Sequence, residues 1–167
     1  LVEGLRVPEG GAKGVKHNKY SHLGGSDAVP SDVQREGEMA ISGVTVKPAR
    51  GAAEKIRVEF IRGISTHGWT GEMPVAQESK ISVTSTRNDV GLCLQTGNMS
   101  RIYADLLKLQ TMYLKSAIKA AVIVVPSDPV AKKLGSNIAN AKRLERELPI
   151  FSRAYSVPTL VYSLEQA

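Results

Sequence analysis

The chain has a single cysteine, Cys93, so no disulfide can close within it. Its three histidines, His17, His22 and His67, are scattered and have no cysteine pair beside them, a pattern that does not make a zinc site. No run approaches the roughly twenty apolar residues needed to span a membrane. The first residues lack the positive start and apolar core of a secretory signal. These absences point to an intracellular, cytoplasmic protein with no membrane partner. Acids are outnumbered as well, with 16 Asp and Glu against 22 Lys and Arg, and the resulting charge of +6 favours an anionic partner without naming one. Internal repeats and low-complexity blocks are missing too.

What is present is enough for one domain with a real core, since 42% of the 167 residues are hydrophobic. The most legible stretch is Val90–Pro126. Val90–Gln95 reads as a short strand, with Leu92 and Leu94 on one side and Cys93 and Gln95 on the other. A Thr96-Gly97-Asn98 break follows. Ile102, Leu106, Leu109 and Tyr113 then recur at helical spacing, and Asn98 or Ser100 can cap a helix that runs to Lys115. Ala121–Val125 is an unbroken apolar run ended by Pro126, the reading of a strand covered on both faces. A strand, helix, strand unit of this kind makes the two strands parallel, with the Thr-Gly-Asn turn at the carboxyl edge where ligands bind.

Around that unit the signals are weaker. Residues 1–50 are rich in Gly, Pro and Ser in two segments, Val7–Gly14 and Tyr20–Pro30, and carry Lys13, Lys16, His17 and Lys19. They are read as a basic arm or irregular segment preceding a domain at 51–167, with Lys16 and Lys19 placed to lie along a phosphate backbone. Met39–Val46, with Ile41, Val44 and Val46 apolar, is read as an edge strand stopped by Pro48. Ala52–Arg62 is expected to be helical, with Ile56, Val58, Phe60 and Ile61 on its apolar side, Gly63 as its stop and Trp69 packed on it. Glu78–Gln95 reads as a hairpin turning at Arg87-Asn88-Asp89. Pro129–Gly135 and Ile138–Leu148 are read as helices and Thr159–Leu164 as a last strand. The order gives an α/β protein with a mixed sheet and helices packed on it.

Val90-Gly91-Leu92-Cys93-Leu94-Gln95-Thr96-Gly97-Asn98, followed by a helix and an apolar strand ending in Pro126, resembles type II restriction endonucleases of the BamHI and BglII group, which have the PD-(D/E)XK nuclease fold. The resemblance covers 56–164. It implies a restriction-endonuclease-like mixed sheet flanked by helices, a homodimer that grips double-stranded DNA, and acids on the hairpin strands that hold Mg²⁺ for site-specific phosphodiester hydrolysis. Carried over by position, the first acid falls near Thr84, the second on Cys93 and the third polar group on Gln95. Gln95 suits the pattern. A protonated thiol and an uncharged hydroxyl do not replace carboxylates at magnesium, so the inherited metal site reads as broken.

Two rescues are open. A shifted register would bring Glu78 or Asp89 beside Gln95 as metal ligands, or Glu59 or Glu72 would reach in from the preceding helix or loop. A Cys93 nucleophile served by His67 or His22 lacks an oxyanion loop and a third member. Asn98, Ser100 and Arg101 are the better contacts for DNA, because a helix N-terminus and an arginine suit phosphate oxygens and base edges. Lys108, Lys115 and Lys119 are placed on the outer face of the same unit. The alternative to a DNA-binding member of this class is a non-enzymatic dimeric interaction or regulatory protein that reuses the nuclease fold through the helix at Ser100–Lys115.

Overall fold

The computed structural model describes residues 15–166. Strand β1 (Lys16–His22) leads into the single turn α1 (Gly25–Ala28) and two longer helices, α2 (Ser31–Ser42) and α3 (Ala53–Ser65). Two short strands, β2 (Met73–Pro74) and β3 (Ser82–Val83), pair with each other as a separate ribbon. Then come β4 (Ser85–Arg87), β5 (Val90–Leu94), α4 (Arg101–Leu114), β6 (Ala120–Pro126), α5 (Asp128–Leu134), α6 (Ala141–Glu147) and β7 (Thr159–Glu165).

The main sheet has the order β1-β7-β6-β5-β4. Its three central strands are parallel, and an antiparallel strand closes each edge. Strand β6 explains why helices cover both faces. Ala120, Val122 and Val124 enter one core while Ala121, Ile123 and Val125 enter the other, so neither face can be left to water. On the first face Ile41 of α2 and Ile56, Phe60 and Ile64 of α3 meet Leu92 and Leu94 of β5. On the second, Ile102, Leu106, Leu109 and Met112 of α4 and Leu144 of α6 meet Cys93, Ile123 and Val161. Burying side chains of this size stabilises the layers by roughly 1.5–3 kcal/mol each before entropy is counted. The alternation of Leu92 and Leu94 against Cys93 follows the sequence reading, as does the parallel pairing of β5 with β6 through α4.

The β4–β5 hairpin turns through Asn88 and Asp89, both with positive φ (47° and 62°), the two-residue connection whose twist matches the flanking strands. It is shorter than the hairpin expected over Glu78–Gln95, because Ser82 and Val83 pair with β2 instead.

Residues 16–50 do not form the arm expected of them. Lys16–His22 pairs along its whole length with β7 and stands last in the strand order, which makes it an edge strand with largely exposed polar side chains. Met39–Val46 is not a strand either. Val33, Gly37, Ala40 and Ile41 are the buried positions of α2, a helical stripe that ends at Ser42. Gly63 does not stop α3. It lies inside the helix, where a Cβ would come 3.1 Å from Ala40, so its lack of a side chain lets α2 and α3 pack closely. Val58 is exposed rather than part of the apolar side. The helix expected over Ile138–Leu148 begins only at Ala141, where the Asn140 side chain caps it through the Arg143 N–H. Val7–Gly14 and Lys13 lie outside the described residues.

Candidate functional site

Strand β5 ends at Leu94, level with Val124 of β6, and the chain leaves this carboxyl edge of the sheet after the Gln95 N–H donates to the Val124 carbonyl at 2.9 Å. The Thr96-Gly97-Asn98 turn is fastened to the loop before α6 by Met99 N–H to Asn137 O and Ala139 N–H to Gly97 O, both 2.8 Å. This edge opens into a cleft of about 660 Å³. Its walls come from opposite faces of the sheet, with Glu54 and Arg57 of α3 on one side and Arg101, Asp105 and Lys108 of α4 on the other. Thr84, Cys93 and Gln95 lie between them, and Glu72 joins from the loop before β2.

Asp105 is the least expected member. It is buried among Ile102, Leu106 and Leu109 on the inner stripe of α4, a place where a carboxylate needs partners. Gln95 Nε2 donates to its Oδ2 at 2.7 Å, and Lys108 Nζ lies 3.4 Å from its Oδ1. Burial pushes the Asp105 carboxyl above the ordinary carboxylate range, while Gln95, Lys108 and Arg57 pull it back. Burial and then the Asp105 charge push the Cys93 thiol far up, so it stays protonated.

The oxygens at the end of β5 are engaged within the protein. Thr84 Oγ1 accepts the Leu94 N–H at 3.0 Å, and the Leu94 carbonyl accepts Arg57 Nη1 at 3.2 Å. Gln95 Oε1 accepts the Gly97 N–H at 3.1 Å. A Cβ at Gly97 would stand 3.0 Å from that Gln95 oxygen and 3.4 Å from the Arg101 guanidinium, so a larger residue there would push both side chains aside. Magnesium needs several hard oxygens facing one point. Among the described residues no three His, Cys, Asp or Glu side chains form a group able to hold a metal ion. The donors at positions 84, 93 and 95 therefore do not fit the ion.

The other expected residues fall in several places. Asp89 is in the hairpin turn at the opposite end of β5, where its carboxylate is 3.7 Å from Lys119 Nζ. Glu78 is exposed in the loop before β3 and does not line the cleft. Neither stands beside Gln95. Glu59 is turned away, accepting the Thr45 and Val46 N–H groups, whereas Glu72 does reach the cleft rim. Arg101 lines the cleft, and Asn98 and Ser100 occupy the adjoining turn, with Asn98 Oδ1 accepting both the N–H and the hydroxyl of Ser100. Lys16 and Lys19 lie on β1, the far edge of the sheet, where Lys19 pairs with Glu38 at 2.9 Å. Lys108 is in the cleft and not on the outer face. His22 stacks on Tyr155 and His67 lines a different groove, so neither serves Cys93. Glu54, Arg57 and Asp105 escaped the sequence reading. Asp105 carried the one available signal, an acid at helical spacing within an apolar stripe.

The family model for restriction endonuclease BglII/BglIII matches residues 19–164. The chain belongs to this family. Comparison with curated proteins finds no match. Among solved structures, restriction endonuclease BglII complexed with a DNA 16-mer matches with a TM-score of 0.70 at 12% identity, over 91% of this chain and 77% of that one. Free BglII matches with a TM-score of 0.63 at 14% identity, over 91% and 80%. These likenesses confirm the α/β fold, a mixed five-stranded sheet flanked by helices. No helix among the described residues is long and apolar enough to cross a membrane.

Proposed function

We propose that this member of the BglII/BglIII restriction endonuclease family binds double-stranded DNA across the carboxyl edge of its sheet, acts as a homodimer, and has lost magnesium-dependent phosphodiester hydrolysis. The observation that carries the reading is the closed floor of the cleft. Thr84, Leu94, Gln95 and Asp105 spend their oxygens on one another's neighbours, within a family whose reaction needs an open set of carboxylates. DNA binding is supported by family membership, by the overall charge of +6, and by Arg101 beside the Asn98 and Ser100 turn. BglII itself was crystallised on a DNA 16-mer.

The homodimer is supported by α4. Leu107 and Leu114 are 70% and 73% exposed on one side of it, and the exposed Ile150 and Phe151 extend the patch through the Phe151 ring packed edge-on against Tyr103. An apolar surface of that extent beside charged residues is the kind that a second copy covers.

The test is incubation of the chain with a long mixed-sequence duplex, with Mg²⁺ or Mn²⁺ in parallel, followed by resolution of bound and cut DNA. Salt-sensitive retention of intact duplex is expected, because phosphate contacts release counterions. Discrete fragments made by the unmodified chain would overturn the loss of cleavage. Absence of binding to any duplex at low salt would overturn the DNA reading.

A further inference from the structure

Two cations from opposite faces of the sheet line the cleft beside the end of β5. Arg57 arrives from α3 on one face of the sheet and Lys108 from α4 on the other, and the two converge on the end of β5. Neither is a solvated surface charge. Arg57 is half-buried and donates through Nη1 to the Leu94 carbonyl, between Cys93 and Gln95. The Lys108 side chain is 27% exposed and reaches the buried Asp105. Both stand close enough to act electrostatically on Cys93 and Asp105 together, so their charge is delivered to one point.

We propose that Arg57 and Lys108 take the place of the divalent ion, holding a backbone phosphate of bound duplex at the cleft floor by direct hydrogen bonds, without metal. The inference rests on the DNA-binding reading above and adds to it the contact and its metal independence. A guanidinium offers several N–H donors in a planar fork, and one is committed to Leu94, which fixes the group while others are left for a phosphate oxygen. Lys108 adds a compact charge, and Arg101, stacked over Gly97, adds a third cation at the mouth. A carbonyl oxygen that would suit a hard cation is covered by Arg57, and a dication brought to the same place would meet two fixed positive charges. Of the carboxylates that line the cleft, Asp105 is buried with both oxygens engaged by Gln95 and Lys108, whereas Glu54 and Glu72 are exposed.

Two measurements on the whole chain decide the matter. The first is calorimetric titration of the protein alone with Mn²⁺. No site is expected, and one equivalent bound in the cleft, lost on Asp105→Asn, would overturn the proposal whatever the DNA result. The second is fluorescence anisotropy of a labelled duplex pool in EDTA and in Mg²⁺, with Arg57→Ala, Arg57→Lys, Lys108→Ala and Lys108→Arg beside the native chain. Equal affinity in the two buffers is expected. Each alanine variant should weaken binding about tenfold and lower the salt slope by about one, with the charge-retaining variants recovering most of the loss. Melting curves separate loss of contact from loss of fold, and the charge-retaining variants keep the test valid if an alanine variant melts early. Binding that needs Mg²⁺, or alanine variants that fold and bind as the native chain does, would overturn the proposal while leaving the DNA reading intact. No binding in either buffer would overturn both.

Discussion

Cys93, where the family resemblance leads one to expect an acid, has no means of doing chemistry. It is 2% exposed, its thiol is held protonated by burial and by Asp105, and its side faces the α4 core. A thiol of this kind reacts only when the fold opens. Thiol reagents should therefore label it at the rate of unfolding, and label it fully in denaturant; a rapid equivalent of labelling in native buffer would contradict the packing described. Glu72 is a different case, an exposed carboxylate on the cleft rim within reach of Ser82 Oγ at 3.5 Å. It opposes an approaching phosphate and does little else. Glu72→Gln should tighten duplex binding by roughly two- to threefold at moderate salt, an effect that fades as salt screens the charge. Anisotropy across a salt series would show it, and weaker binding by the variant would mean that the carboxylate makes a contact of its own.

At the scale of elements, the legible ones were those whose residue types carry their burial. Strand β6 is apolar on both faces and helix α4 has one apolar stripe, so Ala121–Val125 and the spacing of Ile102, Leu106 and Leu109 were enough. Strand β1 was not legible because it is an edge: Lys16-His17-Asn18-Lys19 has no apolar alternation, and its place is fixed by backbone pairing to β7. Helix α2 was hidden because its buried stripe uses Gly37 and Ala40, small residues with little apolar signal, while Ile41 near its end and Val44 and Val46 beyond it imitate a strand. Glu59 secures that ending. Its carboxylate accepts the Thr45 N–H at 2.7 Å, the Thr45 hydroxyl at 3.0 Å and the Val46 N–H at 3.3 Å, and the Thr45 N–H is the main reason its pKa lies below the ordinary 4.5. A lowered folded-state pKa means that the contribution is full above 4.5 and is lost as pH falls through the depressed value. Glu59→Gln should cost about 1 kcal/mol near neutral pH and flatten the acid limb of stability below 4.5. Denaturant melts across that range would test it, and an unchanged acid limb would remove Glu59 from the account.

At the scale of the molecule, the cleft explains why the site was only half legible. Cys93 sits on β5, Gln95 directly follows it and Thr84 lies in the bend between β3 and β4, so their positions along the chain located them. Glu54, Arg57, Asp105 and Lys108 reach the same point from helices on opposite faces, and only the assembled sheet brings those helices together. The same geometry bears on assembly. Helix α4 presents Asp105 and Lys108 to the cleft and Leu107 and Leu114 to solvent, so one helix would link DNA contact to subunit contact. Two copies joined through that outer face would grip one duplex at two half-sites, and the second contact would then form at high effective concentration. Leu107→Glu with Leu114→Glu replaces two exposed leucines, so the fold should hold while the dimer dissociates. Sedimentation should give a dimer for the native chain and a monomer for the variant, and duplex affinity should fall by more than tenfold although no cleft residue has changed. A variant that stays dimeric would place the subunit contact elsewhere, and a native chain that binds duplex as a monomer would separate the two functions of α4.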